Sequence, residues 1–312
     1  MSNTVLVITG QTGTGKTDLS LSIAARLPVE IISADSRQVY RGMDIGTDKL
    51  SIEKRSLVPH HLIDVVDPDE AFTAADFKQR AEERIAHLLS VGKVPVVCGG
   101  TALYIHALEH GLFSGPGRNE AIRSELCERS RRLGPETLHR ELVLVDPAAA
   151  ARIHPNDTLR VVRALEVFYM TGVPISEHQQ KQTKPSWFRF LKIGLCFANS
   201  AGYRAVLHRR VEAMIEKGLI EEVRGLLDAG YSETLPAMQA PGYRHIPAYL
   251  AGTVGLEQAT ARMKTATWRF ARRQWTWLRR DQAVRWFTAD QFSSTDALAD
   301  VLLEQFHGEL GR

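Results

Sequence analysis

Gly10-Gln11-Thr12-Gly13-Thr14-Gly15-Lys16-Thr17 fits G-x-x-x-x-G-K-[ST], and its flanks decide what it means. Before it, Thr4-Val5-Leu6-Val7-Ile8-Thr9 reads as a buried parallel strand. After it, Leu19, Ile23 and Leu27 are spaced as on one face of a helix. A strand that passes into a helix through such a Gly-rich turn can aim successive N–H groups at one anion, and the helix adds its positive end. Gly10, Gln11, Thr12, Gly13, Thr14, Gly15, Lys16 and Thr17 are therefore expected to hold a polyphosphate, with Lys16 as a point charge and the Thr17 hydroxyl offered to Mg2+. The motif specifies polyphosphate and leaves the reaction open.

The first third continues the alternation of strand and helix, which predicts an α/β fold: a P-loop NTPase-like parallel sheet flanked by helices. Residues 29–34 read as a second strand running into Asp35-Ser36-Arg37-Gln38. Residues 94–98 read as another, running into Gly99-Gly100-Thr101. Phe77, Ala81, Ile85, Leu88 and Leu89 mark a helix between them, closed by Gly92. From Gly115-Pro116-Gly117 to about Lys184-Pro185 the chain is charged and poor in strand signals, as expected of an inserted helical subdomain. Residues 188–197 then read as a strand returning to the sheet, and the remainder as helices. The expected division is 1–113, 114–187 and 188–312.

Ligands of such sheets lie outside the carboxyl ends of the strands, where Asp35 and Thr101 fall. Asp35 could serve as a proton acceptor, cap the next helix or bind magnesium. Thr101 opens a helix, so an N-cap role suits its hydroxyl. The adjacent His60-His61 point in different directions in regular structure and favour ordinary hydrogen bonding over a metal pair.

Residues 262–285 carry eight Lys or Arg against the single acid Asp281, interleaved with Trp268, Phe270, Trp275 and Trp277. Met263, Phe270 and Trp277 recur at sevens, as do Arg272 with Arg279 and Arg273 with Arg280. One helix with an apolar and a basic face is expected, most of the tryptophans in the core and the basic face suited to a phosphate backbone. With 44% hydrophobic residues in 312, the chain can build real cores. Cys98, Cys127 and Cys196 are too dispersed for a disulfide framework or thiolate zinc site. No signal peptide and no membrane-spanning run is evident, so a cytoplasmic protein is expected; a monomer is expected as well.

In the phosphate loop, residues 33–47, His60-His61-Leu62-Ile63-Asp64, Gly99 to Tyr104, Asp157 to Val167 and Arg272 to Trp277, the chain resembles the tRNA dimethylallyltransferases along nearly its whole length. The resemblance implies transfer of a dimethylallyl group from dimethylallyl diphosphate to N6 of adenosine 37 in the tRNA anticodon loop. It implies Asp35 as base, Thr101 and Lys16 as catalytic partners, and Arg210 beside the loop on the diphosphate. Asp35, Ser36, Arg37, Gln38, Thr101, Arg123, Leu159, Arg160, Val161, Val162 and Arg163 are implied as tRNA contacts. So are Ala240, Pro241, Gly242, Tyr243, Arg244, His245, Arg272, Arg273, Gln274, Trp275, Thr276, Trp277, Leu278 and Arg279. The inserted subdomain is expected to clasp the anticodon stem-loop.

Departures from the family pattern fall at Gln11, at Gly13-Thr14 and at Pro241 to His245. Residues 206–214 are about one helical turn short, leaving Arg210 for either of two arginine roles, and Tyr203-Arg204 stands where an Asp-Arg pair is usual. A P-loop small-molecule kinase, which would turn over ATP, and a catalytically impaired tRNA-binding homologue are the alternatives.

Overall fold

The computed structural model describes residues 3–113, 115–180 and 186–310. The chain forms two compact units, 1–109 with 186–312, and 110–185. In the first unit the described strands make one parallel sheet: β1 (Thr4–Gly10), β2 (Val29–Ser33), β3 (His60–His61), β4 (Val94–Gly99), β5 (Arg189–Cys196) and β6 (Val284–Thr288), in the order β3-β2-β4-β1-β5-β6. All seven residues of β1 are buried, as a strand covered by helices on both faces requires.

Because side chains alternate along a strand, β1 feeds two cores. Val5 and Val7 pack with Phe77, Ala81, Ile85 and Leu88 of the helix Ala74–Ser90. Leu6 and Ile8 pack with Leu19 and Ile23 of the helix Lys16–Ala24 and with Leu298, Leu302 and Phe306 of the helix Thr295–Leu310. The helix Ala74–Ser90 begins at a capping box between Thr73 and Asp76. Two strands escaped the sequence reading: β3, only two residues long, and β6, which follows the basic segment where helices alone were expected. β6 is an edge strand paired with β5, and its side chains are mostly half-buried, so its alternation is muted.

The second unit is helical among its described residues, its core built from Leu126, Leu138, Leu142, Val161, Val162 and Leu165. The expected end of the helical segment, Lys184-Pro185, lies outside the described residues. Here Glu166, fully buried, accepts hydrogen bonds from the Asn119 amide at 2.7 Å, Arg123 at 3.0 Å and Arg163 at 2.8 Å.

Candidate active site

The turn after β1 carries the strain its glycines permit. Gly10 has φ +145°, and a Cβ there would lie 2.5 Å from the Leu195 carbonyl of β5. Gly13 and Gly15 also adopt positive φ. Around this turn opens a cavity of about 670 Å³ at the carboxyl ends of the strands, lined by residues 12–18 together with Asp35, Gln38, Gly99 and Arg210. The sequence-predicted phosphate loop, its lysine, the candidate base and the arginine thus share one chamber. Thr17 lies on its wall with an exposed side chain.

Lys16 donates to the Gln11 carbonyl at 2.6 Å, bent back on its own loop. Burial pulls its pKa down to about 8; Cys98 and Asp35 oppose that shift and Arg210 adds to it. Beside it, burial pushes the Cys98 thiol up to about 11, which disfavours the thiolate.

The loop is braced by residues far away in sequence. Tyr203, on the helix Ser200–Glu216, donates its hydroxyl to the Thr12 carbonyl at 2.6 Å. Gln11 donates to the Ala271 carbonyl at 3.0 Å, and Gln274 accepts from the Thr12 amide at 2.9 Å. Gln274 also donates to the Gly100 carbonyl at 3.0 Å. Tyr203 therefore holds the loop through a neutral contact.

Asp35 accepts the Arg37 amide at 2.8 Å and the Gln38 amide at 3.4 Å, so one carboxylate oxygen organises the turn it begins. The Thr101 hydroxyl accepts the Ser36 amide at 3.0 Å, pinning the Asp35 turn instead of serving only its own helix. The histidines have separate partners: His60 Nδ1 bonds the Val58 carbonyl at 2.7 Å, and His61 Nε2 bonds Glu30 at 2.6 Å.

The helix Leu256–Leu278 displays Arg269, Arg272, Arg273, Arg279 and Arg280 to solvent around its end, and Trp277 beside them. Its buried face is Ala259, Met263, Ala266, Thr267, Ala271, Gln274 and Leu278. This corrects the apolar stripe expected at Met263, Phe270 and Trp277, of which only Met263 is buried, Phe270 being half-buried and Trp277 exposed. It also corrects the placing of the tryptophans: Trp187 and Trp277 are exposed, and Trp268, Trp275 and Trp286 half-buried. Small residues let this helix sit close to its neighbours, so the large rings are left at the rim.

Several residues expected to meet RNA have buried side chains. Val161, Val162, Ala240, Tyr243 and Leu278 pack in cores, and Gln274 is consumed by the loop bonds above. Arg123 and Arg163 are engaged by Glu166, and Arg163 also by the Pro116 carbonyl at 2.8 Å. Exposed members of the set are Leu159, Arg160, Arg244, Arg272, Arg273, Thr276, Trp277 and Arg279; Ser36, Arg37, Gln38, Thr101, Pro241, His245 and Trp275 are half-buried. Gly242 is buried, with Gly46 so close that a Cβ would lie 2.4 Å from its carbonyl.

Asp48, Lys54 and Lys217 also line the cavity and escaped the sequence reading. Val206, Arg210 and Lys217 follow helical spacing along the Ser200–Glu216 helix and its cap, and that was the available signal for Lys217.

Comparison with known proteins gives the chain its relatives. The family model described as IPP transferase matches residues 38–281. A tRNA dimethylallyltransferase of Geobacter metallireducens is 50% identical over 283 residues, 90% of this chain and 91% of that protein. One from Geobacter sulfurreducens is 46% identical over 97% of this chain and 96% of its own length. Among solved structures, the full-length tRNA isopentenylpyrophosphate transferase of Bacillus halodurans superposes with TM-score 0.73 at 39% identity, covering 99% of this chain and 97% of that one. A eukaryotic dimethylallyltransferase acting on tRNA gives 0.79 at 28% identity, covering 98% and 79%. With a family match over most of its length and relatives this similar along nearly all of it, the chain belongs to the IPP transferase family.

Proposed function

We propose that this protein transfers a dimethylallyl group from dimethylallyl diphosphate to N6 of adenosine 37 in the anticodon loop of tRNA, releasing diphosphate. The observation that carries the reading is the single chamber in which the phosphate loop, Lys16 and Arg210 face Asp35. A kinase could use all four, but it has no use for the exposed basic helix Leu256–Leu278.

The N–H groups of the loop, with Lys16 and Arg210, receive the diphosphate and stabilise the negative charge that grows on it as the allylic C–O bond breaks. Asp35 Oδ1 is tied to the backbone, which leaves Oδ2 to take the proton that N6 sheds on forming its new C–N bond. Thr101 keeps that carboxylate's turn in place through Ser36. The hard oxygens lining the chamber, the Thr17 hydroxyl among them, suit Mg2+. Bound there with the diphosphate, the ion would neutralise part of the leaving group's charge. Adenine must leave its stack to reach Asp35, and exposed Arg272, Arg273 and Arg279 would hold the RNA backbone meanwhile.

The test is transfer of labelled dimethylallyl diphosphate to unmodified tRNA with magnesium, beside Asp35→Ala. Label in tRNA that the variant abolishes supports the assignment. Bound tRNA that never acquires label points instead to an impaired homologue.

A further inference from the structure

Segment 44–49 borders the same chamber and is clamped at both ends. At one end Glu222, on the helix Leu219–Asp228, accepts the backbone amides of Asp44 at 3.0 Å, Ile45 at 2.7 Å and Gly46 at 3.1 Å. The same carboxylate accepts the hydroxyl of fully buried Tyr243 at 2.6 Å. At the other end the buried ammonium of Lys49 donates to the Tyr40 carbonyl at 2.5 Å, Asp44 at 2.8 Å and Asp64 at 2.5 Å.

Asp48 lies within this clamp at φ +54°, left-handed backbone that non-glycine residues seldom adopt. The outlier has a result: the Asp48 carboxylate meets Arg210 Nη1 at 2.8 Å, and both line the phosphate-loop chamber. An anion built into the protein thus occupies the cation that faces the ligand's phosphates.

We propose that Asp48 is a positioning residue that sets the affinity of the chamber for diphosphate, by competing with it for Arg210. The inference rests on the chamber being the diphosphate site. In the empty chamber Asp48 keeps Arg210 paired and aimed. When diphosphate arrives, the guanidinium must share or exchange its partner, so part of what Arg210 gives the ligand is offset by the pairing with Asp48 that it gives up. The same competition acts on product diphosphate and favours its departure. The clamp fixes the backbone of Asp48, so its carboxylate can leave Arg210 only by turning about its own side-chain bonds.

Calorimetric titration of the full chain with inorganic diphosphate tests this, using Asp48→Asn, Arg210→Gln and the double variant. Asparagine keeps the shape and tolerates the left-handed backbone. Freeing the Arg210 guanidinium from its internal anion should tighten binding roughly tenfold at low salt. If Asp48 acts through Arg210, the same change in the Arg210→Gln background should gain less than about twofold. A merely structural role would weaken binding, because damage to segment 44–49 cannot improve the site. Unchanged or weaker binding by Asp48→Asn, with the unsubstituted protein binding normally, overturns the proposal and leaves the diphosphate site standing. Equal tightening in both backgrounds also overturns it, since Arg210 would then be a bystander. Failure of the unsubstituted protein to bind diphosphate removes the site and this inference together.

Discussion

Arg163 donates to the carboxylate of Glu166 at 2.8 Å, and that carboxylate lies wholly inside the helical unit 110–185. Since Arg123 shares it, two cations expected to face RNA are held within the protein. Glu166→Ala should strip Arg123 of its carboxylate and leave Arg163 with backbone carbonyls alone, at a cost of about 3 kcal/mol. Urea unfolding should register the loss, and Glu166→Gln, which still accepts, should lose less.

The same group gives that stability a pH dependence. Burial pushes the Glu166 pKa up, but Arg163, the Asn119 amide and Arg123 outweigh it, so the net shift is below the ordinary 4.5. A lowered carboxylate pKa contributes stability that is complete above 4.5 and disappears as pH falls through the folded-state value. Acid unfolding of Glu166→Gln should be correspondingly flatter in that window.

Lys16 should make donor binding proton-linked. With its pKa drawn down to about 8, the free enzyme loses this charge as pH rises through that value, and kcat/KM for the donor should fall with it. Bound diphosphate favours the charged form, so binding at about pH 8.5 should take up protons and binding near pH 7 far fewer. Calorimetry in buffers of different ionisation enthalpy measures the uptake, and Lys16→Met should abolish it.

Gln274 should behave as part of the phosphate loop. Gln274→Ala would strip the Thr12 amide and Gly100 carbonyl of a partner, a penalty of roughly 1–3 kcal/mol for each group left unsatisfied. The kinetic expectation is a raised KM for the donor with tRNA affinity nearly unchanged. Gly100→Ala should copy the defect, because its Cβ would lie 2.4 Å from Gln274 Nε2. Loss of tRNA affinity with an unchanged donor KM would return Gln274 to the RNA-contact set.

Arg272 and Arg279 are exposed and should act through phosphate charge alone. Replacing either with Gln should weaken tRNA binding and reduce the slope of log K against log salt by roughly one unit. Arg163→Gln should act by a different route, lowering the unfolding midpoint, because its guanidinium is already engaged by Glu166 and Pro116.

What could be read from sequence was what is local. The loop from Gly10 to Thr17 announces itself because strand, turn and helix are contiguous, and the runs at 29–33, 94–99 and 189–196 are apolar enough to declare buried strands. The basic helix was legible in its charges but not in its packing. Its inner face is mostly alanine, threonine and glutamine, and a reading led by large rings follows Trp277 outward to solvent. Gln274 was legible only in its spacing, three after Ala271 and four before Leu278. Nothing in the chain order places it beside Thr12. The Asp48–Arg210 pair joins residues with no spacing relation at all, brought together by the clamp on 44–49.

The braces on the phosphate loop also govern when the site can exist. Gln11 reaches Ala271 across 260 residues, and Thr12 reaches Gln274 across 262. Synthesis makes the motif long before its partners, so its bracing is incomplete until first Tyr203 and then Ala271 and Gln274 have left the ribosome. Contacts of this range are late events in folding. Free diphosphate can therefore favour the finished molecule but cannot template its first domain, and a fragment carrying the motif without the basic helix should be a poor trap for phosphate metabolites.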